Sequence, residues 1–232
     1  MCGRERTRPG PDDRGVRGAC RIDGTPPVKA GPTGRQGTVE WFESTESTES
    51  TKGRLLVATP LLGDPNFERT VIYMLEDNEE GSLGLVLNRP SPLDVTEPLP
   101  DWSRLVAAPS VVFVGGPVSR SSVIALAARE PAYELPSEAW TAVEGLVGVL
   151  DLTADADSIG AGLADVRVFA GYAGWGQGQL AGEIQEGAWF VVDSARTDTF
   201  TDHPEMLWRD VLRRQPDPLR QFAHYPPDPS VN

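Results

Sequence analysis

The sequence predicts one domain of short β-strands with a few brief helices, starting near Gly53. Three observations predict it. Apolar runs rich in Val, Ile and Leu, too short for helices, recur between turn-forming residues from Leu55 onward. Helical signals are few and mostly confined to the last third of the chain. The first fifty-odd residues show neither pattern. Of the 232 residues this leaves about 180, enough for a single core.

In chain order, Met1 to Gly37 is Arg, Gly and Pro without periodicity, a composition that cannot bury enough apolar surface to offset the entropy of ordering. A disordered leader is expected over residues 1–52, ending in the solvated repeat Ser44-Thr45-Glu46-Ser47-Thr48-Glu49-Ser50-Thr51. The domain is expected over 53–232. Leu55 to Ala58, Thr70 to Leu75 and Leu83 to Leu87 read as strands, at least two of them paired. Between the first two lies Pro60 to Phe67, whose two prolines, glycine and Asx residues each fix a non-repeating backbone. Between the second and third, Glu76 to Ser82 reads as an acidic hairpin loop with Gly81 free to take positive φ.

This stretch resembles the YqgE/AlgH family of bacterial proteins through Gly53-x-Leu55-Leu56-x-Ala58-Thr59-Pro60, Asp64-Pro65-x-Phe67-x-Arg69-Thr70-Val71-Ile72-Tyr73 and Leu83-Gly84-Leu85-Val86-Leu87-Asn88-Arg89-Pro90. The resemblance continues through Phe113 to Val118, through Gly171 to Leu180 and into Tyr225 to Asn232. It implies an α+β fold, a mixed sheet curled into a pseudo-barrel with short packing helices. That family has no established activity and carries a transcriptional-regulator label.

Pro90 to Pro109 holds five prolines around Trp102 and Leu105, suiting a connection with a short helix and an apolar anchor but no strand in the sheet centre. Val111 to Val114 is a strand running into Gly115-Gly116-Pro117; Val123 to Ala128 and Leu146 to Leu152 are further strands. Asp155 to Ser158 caps a helix through Leu163. Val166 to Ala170 reads as a strand, Gly174 to Gly178 as a glycine-rich loop, Gln179 to Glu186 as a helix ended by Gly187, and Ala188 to Val192 as a strand, together a βαβ unit. Asp202-His203-Pro204 starts a final long helix with Leu207, Trp208, Val211 and Leu212 on its apolar stripe and Arg209, Arg213 and Arg214 toward water. Arg220 to Tyr225 suits a last turn.

Charge limits the partners. The chain holds 21 Lys and Arg and 34 Asp and Glu; residues 1–37 take eight and four of them, leaving 13 and 30 in the remainder, a net −17. Nucleic-acid affinity rests largely on Lys and Arg releasing counterions, so direct nucleic-acid binding by the folded domain is not expected. Both cysteines, Cys2 and Cys20, lie in the leader, and no apolar run approaches 18 residues, so neither a disulfide framework nor a membrane span is read and the cytoplasm is the expected compartment.

No nucleophile elbow, Walker loop or cysteine pair occurs, and His203 and His224 lack ligand spacing, so no metal, no cofactor and no catalytic residue is assigned. Gly176-x-Gly178-x-x-Ala181, with Asp193 17 residues on, matches the dinucleotide fingerprint literally. A nucleotide-dependent enzyme using the Gly174 to Gly178 loop is therefore the alternative to a non-enzymatic regulatory or small-ligand-binding protein. The candidate site is where loops 60–69, 115–120 and 171–179 meet, with a small anion as ligand. Its residues are Asp64, Asn66, Arg69, Asn88, Gly115, Gly116, Arg120, Tyr172, Gly174, Trp175 and Gln179. Glycine-freed N–H groups and two arginines favour negative charge, and Tyr172 and Trp175 would wall the site.

Overall fold

The computed structural model describes residues 50–226. The expectations for the leader, most of its linker, both cysteines and the last six residues fall outside them. Ten strands form one sheet: β1 (Leu55–Ala58), β2 (Val71–Asn78), β3 (Gly81–Val86), β4 (Pro90–Asp94), β5 (Val111–Val114), β6 (Val118–Arg129), β7 (Trp140–Glu144), β8 (Val147–Leu150), β9 (Leu163–Gly176) and β10 (Trp189–Val192). Their order is β10-β1-β2-β3-β9-β6-β8-β7, with β4 paired to β5 and β5 to β9. All named strand pairs are antiparallel except β5 with β9, where Phe113 faces Phe169. The sheet curls into a half-barrel with short helices packed on it, an α+β fold.

The curl follows from β9. This 14-residue strand pairs with β6 along one edge and offers its other edge to β5 at Phe169 and Ala170, then to β3 from Ala173 to Gly176. Where the β5–β6 connection crosses β9, backbone lies on backbone: a Cβ at Gly116 would stand 2.2 Å from the Tyr172 carbonyl carbon, so only glycine fits.

Side chains on the opposite faces of β1 and β2 enter different cores. Leu55, Val57, Val71 and Tyr73 pack with Leu85, Phe113 and Phe169 against Leu207, Trp208, Val211 and Leu212 of α4 (Leu207–Arg213). Leu56, Ala58, Ile72 and Met74 pack with Val86, Trp175 and Trp189 against Leu180 of α2 (Gln179–Gln185). A third cluster gathers Trp102, Leu150, Leu163 and Val166 with Ile159 of α1 (Ala156–Ile159). Trp102 is the anchor expected of the proline-rich connection, donating its indole N–H to the Leu152 carbonyl at 3.1 Å. At the head of α1 the Asp155 carboxylate accepts from the Asp157 N–H, as the cap reading requires. Gly187, at φ 79°, closes α2 with a Schellman pair, Ala188 N–H to Glu183 O and Gly187 N–H to Ile184 O.

Several expectations are corrected. Residues 174–176 are not loop but the end of β9, because β3 supplies them a ladder (Leu83↔Gly174, Gly81↔Gly176); tertiary pairing overrides the poor strand preference of glycine. The strands flanking α2 are not neighbours either: β1, β2 and β3 lie between β9 and β10, so there is no adjacent βαβ crevice. Pro90 to Asp94 does form a strand, with β5 as its partner, where a missing N–H costs no ladder bond in the sheet centre. β7 was not expected at all. The expected final long helix is α4 and starts only at Leu207, after turns around Pro204, and two further short helices flank it, α3 (Arg196–Thr199) and α5 (Leu219–Phe222).

Among the described residues one cation is wholly buried. Arg167, in the middle of β9, donates from Nη2 to the carbonyls of Ala108 (2.7 Å) and Thr201 (2.8 Å) and from Nη1 to that of Thr199 (3.3 Å), with its guanidinium 4.5 Å over the Phe113 ring. Burial lowers its pKa to about 10, against the opposing pull of Asp165 and Asp202.

Candidate functional site

A cleft of 360 Å³ opens beside the C-terminal end of β3, lined by Arg69, Asn88, Arg89, Pro90, Glu205, Trp208 and Arg209. Three segments build it, the first being the turn before β2 that carries Arg69. The Leu87-Asn88-Arg89-Pro90 run leaves β3 and turns into β4, and Glu205 to Arg209 brings in the first turn of α4. Trp208 is held from behind, its indole N–H donating to the Ala58 carbonyl at 2.8 Å.

Arg69 stands over this floor with its guanidinium 4.6 Å from the Trp208 ring centroid. Its backbone is left-handed, φ 52°, a conformation rare for a side chain of this size. Asn88 holds it there, donating from Nδ2 to the Arg69 carbonyl at 2.8 Å while its Oδ1 accepts the Val71 N–H at 3.0 Å. The Arg69 Nη2 donates to the carbonyls of Tyr225 (2.7 Å) and Pro226. Arg89 donates to the Glu68 carbonyl. Burial is the main cause lowering the pKa of Arg69, with the charge of Arg209 next; burial likewise lowers that of Arg89. Both remain cations at any ordinary pH. The cleft therefore brings together three positive charges, two of them partly stripped of water, against the carboxylate of Glu205 in its lining and that of Glu68, whose charge acts on both Arg69 and Arg89.

Of the residues singled out from sequence, the structure brings Arg69 and Asn88 into this cleft, and the others lie elsewhere. Asp64 and Asn66 form an Asx turn, with Asp64 Oδ1 accepting from the Asn66 N–H at 2.8 Å and Nδ2 at 3.0 Å. Gly115 is engaged in the sheet on both sides: its N–H donates to Ala170 O and its carbonyl accepts from Val86 N–H. Gly116 and Tyr172 make the crossing described above, and Gly174 lies in β9. Arg120 stands on the exposed first half of β6. The expected loops do touch, in pairs and at separate points: Val118 pairs with Tyr172, while the ring of Phe67 lies 6.4 Å from that of Trp175.

Trp175 and Gln179 belong to a second cluster that sequence reasoning missed. Glu183 Oε2 accepts the indole N–H of both Trp175 (2.9 Å) and Trp189 (2.8 Å), and its Oε1 accepts from Gln179 Nε2 at 2.9 Å. Gln179 in turn accepts the Gly176 N–H at 3.1 Å. Phe67 closes the group edge-on to Trp189 at 5.6 Å. These groups satisfy one another, tying the 60–69 loop, β9, α2 and β10 together.

The sequence reading also missed Arg89, Glu205 and Arg209. Arg209 was placed toward water but is half-buried in the cleft, and Arg214 is not a free surface charge either, since both its terminal nitrogens grip the buried Asp198 carboxylate. Among the described residues no group of three or more acidic, histidine or cysteine side chains could hold a metal, and no helix is long and apolar enough to cross a membrane.

A family model described as AlgH-like matches residues 55–220. A UPF0301 protein of Streptomyces coelicolor is 51% identical over 185 residues, covering 79% of this chain and 96% of that one. One of Mycobacterium avium is 44% identical over 181 residues, covering 78% and 90%. Among solved structures, a Corynebacterium diphtheriae protein superimposes with a TM-score of 0.74 at 31% identity over 79% of this chain and 97% of that one. The solution structure of the AlgH protein from Pseudomonas aeruginosa gives 0.53, also at 31% identity, over 68% and 85%.

Proposed function

The chain belongs to the AlgH-like family, and from that premise we propose that it is a non-enzymatic, cytoplasmic regulatory protein that binds a small oxyanion in the Arg69–Arg89–Arg209 cleft. The observation that carries the proposal is that three arginines line one concave surface and outnumber the carboxylates of Glu205 and Glu68 beside them. Arg69 and Arg209 repel each other there. An anion between them replaces that repulsion with charge-assisted hydrogen bonds, which are roughly twice as strong as neutral ones.

The groups suit binding rather than catalysis. A guanidinium neither takes up nor releases a proton near neutral pH, and the Asn88 amide is already committed to the backbone at both ends. The volume suits a small phosphorylated or carboxylated metabolite. Regulation through such a metabolite agrees with the net −17 beyond Gly37, which direct reading of DNA does not.

The test is thermal unfolding of the full chain with inorganic phosphate, pyrophosphate, nucleotides and di- and tricarboxylates. Ligand at a hundredfold excess over its Kd stabilises by about 2.7 kcal/mol, a rise of roughly 5–11 °C for a chain of this size. Arg209→Ala should remove the rise and Arg120→Ala should keep it. No rise with any anion, or an undiminished rise in Arg209→Ala, refutes the site.

A further inference from the structure

The Arg69 guanidinium already has an occupant, the chain's own Tyr225-Pro226 segment. That segment follows α5, and its approach is set by helical turns, with the Ala223 N–H donating to Arg220 O at 3.2 Å and the Tyr225 N–H to Phe222 O at 3.0 Å. Behind it Ala223 is buried in the core with Leu207 and Trp208. The two carbonyls thus arrive at Arg69 on an anchored stem.

Both meet the same nitrogen, Nη2, and both of its hydrogens are used. A planar guanidinium captures an oxyanion bidentately through one of two forks: end-on through Nη1 and Nη2, or side-on through Nε and Nη2. Nη2 belongs to both. A bidentate oxyanion on Arg69 therefore has to displace at least one of these carbonyls.

We infer that Tyr225 and Pro226 form a latch, a segment that closes on Arg69 when the cleft is empty and is released when an oxyanion takes the guanidinium. The inference rests on the anion-binding reading of this cleft and adds its output: occupancy is converted into freedom of the C-terminal segment. The exchange is chemically graded, because a neutral carbonyl is a weaker acceptor for a guanidinium than a doubly charged oxyanion. The left-handed backbone of Arg69, pinned by Asn88, keeps the guanidinium where the two acceptors compete rather than letting it follow either one.

The test is amide hydrogen exchange by NMR on the full chain, read at Tyr225 and, as a folding control, at Leu87, whose N–H donates to Val71 O inside the sheet. Arg69→Asn removes the guanidinium while keeping a residue that tolerates the left-handed conformation. It should accelerate exchange at Tyr225 by at least about tenfold and leave Leu87 unchanged, the pattern of local opening. An unchanged rate at Tyr225 overturns the latch, whatever binds to the cleft. Saturating pyrophosphate added to the unsubstituted chain should accelerate Tyr225 in the same way. Binding of pyrophosphate with no change at Tyr225 overturns the latch and leaves the anion site standing. If no anion binds while Arg69→Asn still frees Tyr225, the latch stands as a contact and its release by anions is overturned together with the proposed function.

Discussion

Removing the Glu183 carboxylate should cost the fold about 2–4 kcal/mol. The figure is worked from what the carboxylate holds: two indole N–H groups, from Trp175 and Trp189, whose residues are only 6% and 3% exposed, and the Gln179 amide. In Glu183→Ala both indole donors lose their acceptor, at about 1–3 kcal/mol each where water cannot follow. Glu183 itself is half-buried, so water reaches part of the gap and the lower half of the range is the better guide. Glu183→Gln keeps an oxygen for the indoles but turns an amide NH₂ toward Gln179 Nε2, donor against donor. Gln179 cannot flip to repair this without giving up the Gly176 N–H. That variant should lose about 1–2 kcal/mol. Urea unfolding of the full chain, with the slope checked for constancy, measures both, and thermal midpoints should fall by about 2–4 °C per kcal/mol. A loss below about 0.5 kcal/mol in Glu183→Ala would refute the argument that the cluster, rather than the sheet alone, fixes the 60–69 loop and α2.

Asp77 clamps the start of the domain, accepting from Thr51 N–H at 2.7 Å, Thr51 Oγ1 at 2.9 Å and Ser82 Oγ at 2.6 Å; burial works against its charge, but these bonds prevail and its pKa is lowered. A depressed folded pKa means that the stabilisation is present above the unfolded value, about 3.9, and is lost as pH falls through the folded one. The stability gap between the parent and Asp77→Asn should therefore be full at neutral pH and narrow below about pH 4 in urea titrations; a gap independent of pH contradicts the assignment. The same bonds predict that a chain starting at Ser50 is more stable than one starting at Gly53 by about 1–2 kcal/mol, and equal urea midpoints would show Thr51 to be idle. Arg167→Leu should cost about 3 kcal/mol or more, since three carbonyls, those of Ala108, Thr199 and Thr201, lose their donor; a thermally neutral variant would mean water replaces it. Finally, a chain starting at Ser50 should give no electrophoretic shift of duplex DNA at micromolar protein in 150 mM salt, and a shift would reveal a basic surface that overrides the net charge.

Sequence carried the strands whose residues are apolar on both sides. Leu55 to Ala58 and Val111 to Val114 are strands to the residue: the first is buried on both faces, and the second buries Val112 and Phe113 while Val114 reaches water. It carried the caps too, because Asp155 and Gly187 act on their own neighbours. It failed where a distant partner decides. Gly174 and Gly176 have no local reason to extend, yet β3, some ninety residues earlier, offers them a ladder. Trp140 to Glu144 reads weakly as a strand until β8 pairs with it. The half-barrel itself is a property of how β9 shares its edges, which no window of sequence contains.

The site was legible in two residues, Arg69 and Asn88, and illegible in its logic. Arg69 stood out as a charge beside a fixed turn, but its left-handed backbone, its amide brace from Asn88 and its place over Trp208 come from segments up to 139 residues away. Arg209 was hidden by a rule that is usually right, that an arginine off the apolar stripe of a helix faces water; here the mouth of a cleft lies on that side. The placement resolves an apparent conflict between an anion site and an acidic protein. At physiological ionic strength charges farther than about 8 Å are largely screened, so a small oxyanion inside the cleft is governed by the nearby charges, three guanidiniums against Glu205 and Glu68. A nucleic acid carries a phosphate charge every 1.7 Å of duplex axis, and the three arginines can pair only with phosphate inside the cleft, leaving the flanking phosphates to a chain of net negative charge. The −17 beyond Gly37 thus becomes a filter, admitting a compact anion where it excludes a polyanion. On this argument pyrophosphate should stabilise the full chain while a short single-stranded oligonucleotide of equal phosphate concentration should not, and equal stabilisation by the two would remove the filter.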